Sequence, residues 1–409
     1  MKKILIIGYV WPEPNSSAAG SRMMQLIEFF LGNNWQVTFS SPAAESEHRY
    51  PFESIDVKKA NIKVNSECFD SFIENLKPDI VLFDRFIMEE QFGWRVEKIC
   101  PTALRLLETV DLHCLREARH SAIKKQHSLT KQDLFSEIAH REIASILRCD
   151  LSLMISEYEM KLLIADFKVD TSLLLHLPFM LDTHNASHIK ALPNFGQRAH
   201  FISIGNFRHA PNWDAVLYLK QTIWPLIHKK LPQAQMHIYG AYPPPKATQL
   251  ENPKQNFRVL GWAKNAAEVF QNARILLAPL RFGAGLKGKL LDAMQFGTPS
   301  ITTNIGAEGM HGELDWNGAI KNTPENIADA AVDLYNNEEA WLTAQANGVT
   351  LINTFYNKDI HSATLLKRID QISEKLDEHR LHNFTGAMLR HHSMKSTQYM
   401  AQWIEAKNK

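Results

Sequence analysis

The chain has 409 residues, of which 45% are hydrophobic and 22% charged, the balance of an ordinary globular protein. Its length predicts two domains of about 200 residues each. A net charge of +1, without a stripe of basic and aromatic residues, argues against a nucleic-acid-binding protein. The four widely spaced cysteines indicate reduced thiols in a cytoplasmic protein. No apolar run approaches the roughly 20 residues that span a bilayer, so we expect any membrane contact to be peripheral, at the inner face.

The first half of the chain alternates short apolar, β-branched runs with longer helical segments, the pattern of parallel βαβ units. The apolar run after Met1 breaks at Gly8 without a cleavage site, so it is interpreted as a strand and not as a signal peptide. Strands are predicted at Lys3–Gly8, Gln36–Ser40, Ile80–Asp84, Ala103–Glu108, Leu151–Ser156 and Ser172–His176. Helices are predicted at about Ser17–Leu31, Met88–Ile99, Leu115–Gln126, Lys131–Leu147 and Glu157–Asp166.

A stretch without periodicity, from Leu181 to Ala199, is predicted to link this half to a second alternation. Pro225 is expected to bend or divide the first helix there. Strands are predicted at His200–Ile204, Gln235–Tyr239, Arg258–Gly261, Arg274–Ala278 and Ser300–Thr303. Helices are predicted at about Pro211–Lys230, Ala266–Gln271, Leu286–Phe296, Pro324–Asn336 and Glu338–Asn353.

These patterns predict an α/β protein with two open parallel sheets and a cleft between them. Domains are expected at residues 1–190 and 198–370, followed by a helical tail at 371–409 that packs back on the first domain. Open α/β sheets bind ligands outside the carboxyl ends of their strands, so a ligand site is expected along the cleft.

The most informative segment runs from Leu276 to Met310 and reads LLAPLRFGAGLKGKLLDAMQFGTPSITTNIGAEGM. A buried strand is followed by a glycine-rich loop, and a helix is predicted to begin near Leu286. Glycines let the backbone approach a ligand, and a helix start offers N–H groups and partial positive charge to a diphosphate. Lys287 and Lys289 add full charges; the alternative is a turn with solvated lysines. The spacing fits neither a P-loop nor a dinucleotide fingerprint.

This segment resembles the donor-binding motif of the retaining GT-B glycosyltransferases, close to glycosyltransferase family 4. The resemblance implies two Rossmann-like domains, a nucleotide-diphosphate sugar as the donor substrate and no cofactor. It also implies that Asp292, one turn into the helix, binds the ribose hydroxyls. The loop after the first strand of the second domain would face the donor phosphates. The donor-binding residues would be Gly205, Asn206, Gly283, Ala284, Gly285, Leu286, Lys287, Lys289, Asp292 and Glu308.

The first domain resembles the acceptor side of the same family. A strand followed by Trp11-Pro12-Glu13-Pro14 and Ala19-Gly20-Ser21-Arg22 is similar to the family's first loop, and Thr109-Val110-Asp111-Leu112-His113 matches its histidine segment. Arg85 is a further candidate because it follows a predicted strand. Helix capping by Asp111 or His113 and a surface ion pair at Arg22 are the alternatives. The acceptor-side candidates are Glu13, Gly20, Arg22, Arg85, Asp111 and His113.

Two positions depart from the common family pattern. Ala284 replaces the first of two acids, which would remove a contact to the donor sugar. The usual arginine and lysine pair after the Gly205 strand is incomplete, with Arg208 offset. A subset of the family with the R-x-G-x-G-x-K pattern shares both departures.

The function expected from the resemblance is transfer of a sugar to a glycan, a lipid-linked or another acceptor in cell-surface polysaccharide assembly. His113, Lys287 and Arg208 are the catalytic candidates. The reaction is expected to retain anomeric configuration and to need no metal, because basic residues and helix dipoles would neutralise the leaving diphosphate. The alternatives are a degenerate scaffold that binds nucleotide or glycan, and a sugar-nucleotide epimerase of the same fold.

Overall fold

The computed structural model describes residues 1–408, apart from the side chains at positions 186, 188 and 392–394. The first domain is built on a seven-stranded parallel sheet with the order β3-β2-β1-β4-β5-β6-β7. Its strands are β1 (Lys3–Ile7), β2 (Gln36–Ser41), β3 (Val57–Asn61), β4 (Ile80–Asp84), β5 (Leu104–Glu108), β6 (Leu151–Met154) and β7 (Leu174–His176).

Helices cover both faces of this sheet, so its central strands are buried on both sides. Ile4 and Ile6 of β1 belong to one apolar cluster, whereas Leu5 and Ile7 belong to another. The near-continuous apolar runs of the sequence follow from this arrangement. The helices are α1 (Ala18–Gly32), α2 (Cys68–Leu76), α3 (Arg85–Ile99), α4 (His113–Lys124), α5 (Lys131–Leu134), α6 (Glu137–Arg148), α7 (Glu157–Ala165) and, in the linker, α8 (Ala186–Ala191).

The second domain is built on a six-stranded parallel sheet with the order β10-β9-β8-β11-β12-β13. The helix predicted at Pro211–Lys230 is divided by a π-helical turn at Leu219–Ile223, just before Pro225, as the proline predicted. The strands are β8 (Ala199–Ile204), β9 (Met236–Tyr239), β10 (Phe257–Gly261), β11 (Ala273–Ala278), β12 (Ser300–Thr302) and β13 (Gly318–Ile320). The helices are α9 (Ala210–Tyr218), α10 (Trp224–Lys230), α11 (Pro245–Thr248), α12 (Ala266–Asn272), α13 (Gly288–Gln295), α14 (Asn304–Ala307), α15 (Pro324–Asn336) and α16 (Glu338–Phe355).

The chain returns to the first domain earlier than the predicted boundary at residue 370. The return is at Asn357, which forms a parallel β-bridge with Leu181 of the outgoing linker. The helices that follow are α17 (Lys358–Glu374), α18 (Leu376–His382) and α19 (Phe384–Lys407). Leu365 and Ile369 of α17 fill an apolar cluster of the first domain.

The tail after residue 370 also contacts the first domain. Arg380 pairs with Asp150 at 2.8 Å, and α19 packs on α3 and α6. Among the described residues, no helix is long and apolar enough to cross a membrane.

Candidate active site

The cleft lies where the strand order of each sheet reverses. In the first sheet this point falls between β1 and β4, and in the second between β8 and β11. Ligands of open parallel sheets bind beside the loops that leave the strands at such points. Here these segments begin at Gly8, Arg85, Gly205 and Pro279, and all four contain residues that the sequence selected.

The glycine-rich loop between β11 and α13 is pressed against the first domain. Gly283 and Gly285 have φ of +148° and +64°, conformations that other residues rarely adopt. A Cβ on Gly285 would lie 2.9 Å from Cβ of Asp111. The Gly285 N–H donates to Oε1 of Glu159 at 2.6 Å. Donor-side and acceptor-side candidates therefore meet here, and this N–H already has a partner.

Ala284 faces the same contact. Its side chain packs against the apolar cluster of the first domain. A carboxylate at this position would be forced into apolar surroundings, which disfavour its charged form. The departure from the common family pattern thus has a physical reason in this chain: position 284 is an interdomain apolar contact.

The first turn of α13 is a helix start without a side-chain cap. The helix begins at Gly288, two residues after the predicted Leu286, whose side chain is buried in the second domain. An uncapped start offers unpaired N–H groups and partial positive charge. A Cβ on Gly288 would lie 2.6 Å from Cβ of Ala18, the first residue of α1. Two helix N-termini therefore meet at the cleft.

The two lysines beside this loop reach different partners. Lys287 is buried, and its Nζ donates to the Gly285 carbonyl at 2.7 Å. Lys289 donates through Nζ to Oδ1 of Asn212 at 2.8 Å. Burial lowers the pKa of both ammonium groups to about 8, although neighbouring carboxylates oppose the shift. Both lysines thus donate to neutral oxygens at this end of the cleft.

Asp292 lies one turn into α13, as predicted, and is partly exposed. Burial raises the pKa of its carboxyl to about 7, and the charge of Lys289 opposes this shift. Across the described part of the chain this carboxylate accepts no hydrogen bond. Its acceptor capacity is therefore open to a ligand.

The loop after β8 packs closely on Lys289. A Cβ on Gly205 would lie 2.7 Å from the Lys289 Nζ and from the Asn212 amide, so a side chain here would displace both groups. The carbonyl of Asn206 accepts a hydrogen bond from Nδ2 of Asn212 at 3.0 Å. These contacts fix the two donor-side candidates of this loop against the start of α13.

Arg208 is exposed and stacks on Tyr242, with its guanidinium carbon 3.6 Å from the ring centre. The Tyr242 hydroxyl donates to Oε1 of Glu13 at 2.9 Å, which links the two domains. Arg208 therefore lies at the interdomain border beside Glu13. Among the described residues, it makes no contact with Lys287 or Lys289. Its place next to the leaving phosphate stays a prediction.

His209, which the sequence interpretation did not select, precedes α9. Surrounding protein lowers the pKa of its ring to about 4; Asp111 opposes the shift, and the charges of Arg116, Lys289 and Arg85 add to it. The ring is thus neutral at pH 7. It lies among charged groups of both domains.

Asp111 and His113 flank the start of α4. Asp111 forms an ion pair with Arg116. Burial would raise the pKa of Asp111, but Arg116 and His113 outweigh it and lower the pKa to about 2. Nδ1 of His113 lies 3.3 Å from Oε1 of Glu142, which also accepts the His113 N–H at 2.9 Å. Glu142 caps this helix in place of Asp111 or His113.

Two residues at the cleft adopt positive φ. Arg85, directly after β4, has φ of +69°, and Val110, after β5, has φ of +64°. This conformation is a genuine outlier for a β-branched residue, and such strain is concentrated at functional sites. Arg85 also lies 5.1 Å from the ring centre of Tyr9 in the loop after β1, which keeps it on the acceptor side of the cleft.

Arg119 of α4 connects the first domain to the donor side. Its guanidinium donates to both carboxylate oxygens of Glu308, at 2.8 and 2.7 Å. It also donates to the Gly283 carbonyl at 2.8 Å. The Glu308 carboxylate therefore serves an interdomain ion pair, and its contact with the nucleotide stays a prediction.

Arg22 and Gly20 have structural roles. The Arg22 side chain is buried and donates to the carbonyls of Pro178 and Leu177, at 2.5 and 2.7 Å, and to Glu108. The structure thus corrects its expected orientation toward a ligand anion. A Cβ on Gly20 would lie 2.4 Å from the Glu13 carbonyl oxygen, so this glycine lets α1 pack against the first loop.

Comparison with known proteins agrees with this architecture. Residues 198–337 match the model of the family described as Glycosyl transferases group 1. TarM from Staphylococcus aureus, solved with UDP, is similar with a TM-score of 0.70 and 11% identity over 90% of this chain and 99% of that chain. Sucrose-phosphate synthase from Thermosynechococcus elongatus gives 0.67 and 14% over 91% and 99%. HepE from Anabaena, solved with UDP and glucose, gives 0.65 and 10% over 91% and 100%. No curated protein matches the sequence.

The fold and the cleft define a GT-B protein, which confirms the predicted fold class. Within it, residues 198–337 are similar to the glycosyl transferases group 1 family.

Four residues that sequence reasoning missed complete the cleft: Glu159, Arg116, Arg119 and His209. Glu159 is buried, and burial raises the pKa of its carboxyl to about 8, with Asp111 adding to the shift. Its Oε1 accepts N–H groups from both domains, Gly285 and Leu112. The only sequence signal was its position one turn after a strand-to-helix junction.

Proposed function

We propose that this protein transfers a sugar from a nucleotide-diphosphate donor to a glycan, lipid-linked or other acceptor, with retention and without a bound metal. The observation that carries the proposal is the uncapped start of α13, flanked by Lys287 and Lys289, at the switch point of the second sheet. Facing it is the start of α1. The uncapped start of α13, the adjoining start of α1 and the two ammonium groups would together attract a diphosphate.

The carboxylate of Asp292 supports the nucleotide part of the proposal. It accepts no hydrogen bond from the described residues, and it lies one turn into the same helix. A ribose bound there would donate two hydroxyl hydrogen bonds to it. TarM and HepE, whose structures contain UDP, make a uridine nucleotide the first donor to test.

In the proposed mechanism, the cationic groups of the cleft would stabilise the negative charge that develops on the leaving phosphate. Breaking the anomeric C–O bond leaves negative charge on the β-phosphate and positive charge on the sugar ring. Lys287 and the first-turn N–H groups of α13 would stabilise the phosphate. In a retaining reaction the acceptor attacks from the leaving-group face, so the departing phosphate takes its proton. His113, with Nδ1 held by Glu142, would present Nε2 to the sugar or acceptor.

We place this activity in cell-surface polysaccharide assembly, in the cytoplasm and with peripheral contact at the inner membrane face. Support comes from relatives such as the WaaB lipopolysaccharide outer core galactosyltransferase, similar with a TM-score of 0.56 and 13% identity.

The donor site is tested by thermal unfolding with UDP, GDP, ADP and TDP in the presence of EDTA. A ligand at 100 times its Kd should stabilise the protein by about 2.7 kcal/mol. No shift with any of the four at millimolar concentration would contradict the proposal. A shift that requires Mg²⁺ would remove only its metal-free part.

One alternative has an observation in its favour. Ala284 lacks the carboxylate that would contact the donor sugar, which favours a scaffold that binds nucleotide without turnover. Slow hydrolysis of a nucleotide sugar without acceptor distinguishes the two, because a scaffold would bind the nucleotide and leave the sugar attached.

A further inference from the structure

The last two helices carry large apolar side chains that the protein does not cover. Six residues of Leu381–Lys407 in α18 and α19 are between 47% and 81% exposed. They are Leu381, Phe384, Met388, Tyr399, Met400 and Trp403. A monomeric soluble protein seldom exposes apolar side chains in a contiguous patch without a use for them.

Four of these side chains share one side of α19. Phe384, Met388, Tyr399 and Trp403 follow a spacing of 4, 11 and 4 residues, which keeps them within about 100° of the helix circumference. The opposite side faces the protein, where Ala401 is 4% exposed and Glu405 pairs with Arg95 of α3. The helix is therefore fixed by one side and presents the other.

The charge on the exposed side has one sign. Among the described exposed residues of 381–408 there is no aspartate or glutamate, because Glu405, the single acid in this range, is held by Arg95. Lys395 and Lys407 are exposed on the apolar side, and the Lys407 Nζ lies 5.2 Å from the Trp403 ring centre. Tryptophan and tyrosine with lysine are the side chains that settle at a membrane–water interface.

We propose that this face of α18 and α19 docks the first domain on an anionic membrane surface. Phe384, Tyr399 and Trp403 would enter the headgroup region, and Lys395 and Lys407 would contact lipid phosphates. A second copy of the chain fits less well, because a two-fold interface would bring the same lysines together without acids to pair them. The surface belongs to the acceptor-side domain, on which α19 packs against α3 and α6. The inference does not rest on the sugar-transfer reaction.

The test is sedimentation of the full-length protein with vesicles of phosphatidylcholine alone or with one-third phosphatidylglycerol. Wild-type protein should bind the anionic vesicles at low salt and lose binding at high salt. Phe384→Ser/Tyr399→Ser/Trp403→Ser and, separately, Lys395→Glu/Lys407→Glu should each lower the partition coefficient about tenfold or more. The matched control is Leu342→Ser/Ile360→Ser, which removes exposed apolar side chains from α16 and α17 and should bind as wild type.

Three outcomes would overturn the proposal. The first is wild-type protein without preference for phosphatidylglycerol, a result that needs no variant to fold. The second is unchanged binding by the triple serine variant. The third is a dimer in sedimentation velocity that this variant dissociates, which would assign the face to a second copy. Vesicle binding uses no donor nucleotide, so its failure is separate from failure of the proposed activity.

Discussion

At the scale of single residues, the cleft is marked by charged groups whose pKa values are moved toward neutrality. The pKa of Lys287 and Lys289 is lowered to about 8, and that of Asp292 is raised to about 7. In each case the largest cause is burial, which disfavours a charge without water or a full partner. A ligand with a diphosphate and hydroxyl groups would supply the missing partners.

Asp292→Asn should weaken nucleoside diphosphate binding by about 1.5–3 kcal/mol, because a charged acceptor of two hydroxyl bonds becomes a neutral one. Calorimetric titration of the folded variant measures this change. The control is Asp329→Asn, an exposed carboxylate of α15 in the same domain, which should bind nucleotide as wild type. Unchanged affinity in a folded Asp292→Asn protein would mean that this carboxylate is not the ribose ligand.

Lys287→Ala should lower turnover at least about tenfold and reduce donor affinity less, because the ammonium would act mainly on the charge that develops in the transition state. We expect a smaller loss from Lys289→Ala, since Lys289 reaches the Asn212 side chain. Steady-state kinetics with measured donor Kd separates the two effects. Lys264→Ala, an exposed lysine of the same domain, is the control. Equal and small losses at both positions would mean that other groups neutralise the phosphate, and Arg208 would be tested next.

At the scale of elements, α4 ties the two domains together through Arg119. Arg119→Ala removes both bonds to Glu308 and one to the Gly283 carbonyl, leaving a largely buried carboxylate without its partner. We expect a stability loss of up to about 3 kcal/mol and a more open cleft.

Urea unfolding and small-angle scattering measure the two consequences of Arg119→Ala. Arg141→Ala is the matched control, because its exposed pair with Glu90 lies within the first domain and should contribute less than about 1 kcal/mol. A scattering profile identical to wild type would show that the Arg119 pair does not hold the domains closed.

Whether the sequence predicted a strand depends on where that strand lies in its sheet. Central strands such as β1 and β4 are buried on both faces and were predicted from continuous apolar runs. The missed strands, β3 and β13, are at the sheet edges: β3 is polar with exposed lysines, and β13 has only three residues. The start of α13 was predicted two residues early because Leu286 continues the apolar pattern but packs before the helix begins.

At the scale of the whole molecule, nucleotide affinity should depend on pH on both sides of neutrality. Below about pH 7 the free protein protonates Asp292, and above about pH 8 it loses charge at Lys287 and Lys289. Affinity should therefore be highest between these values and fall beyond them by up to about tenfold per pH unit for each group that titrates.

Titrations from pH 6.5 to 9.5 test this, and Asp292→Asn should remove the decline on the acid side. A flat profile would contradict the assignment of these groups to the site. The same shifts affect the stability of the protein without nucleotide. Because the pKa of both lysines is lower in the folded state, the free energy of unfolding decreases as pH falls from about 10.5 to about 8.

The part of the site that sequence could not predict is the part that only the assembled domains create. The glycine-rich loop and Asp292 are one local segment, so their pattern was visible. Arg119 meets Glu308 across 189 residues of chain, and Glu159 meets Gly285 across 126. Nothing near Arg119 distinguishes it from a surface arginine, because its role is set by the remote partner.

The return of α17 to the first domain has a consequence for how this chain is made. Leu365, Ile369 and Ile372 complete an apolar cluster around β1, yet they are synthesised after the whole second domain. On the ribosome the second domain, which is continuous from β8 to α16, can fold first. The strands that are synthesised first complete their packing only after the last helices have been synthesised. The N-terminal domain is thus the last to be finished, and its uncovered face is the surface that a chaperone would meet during translation.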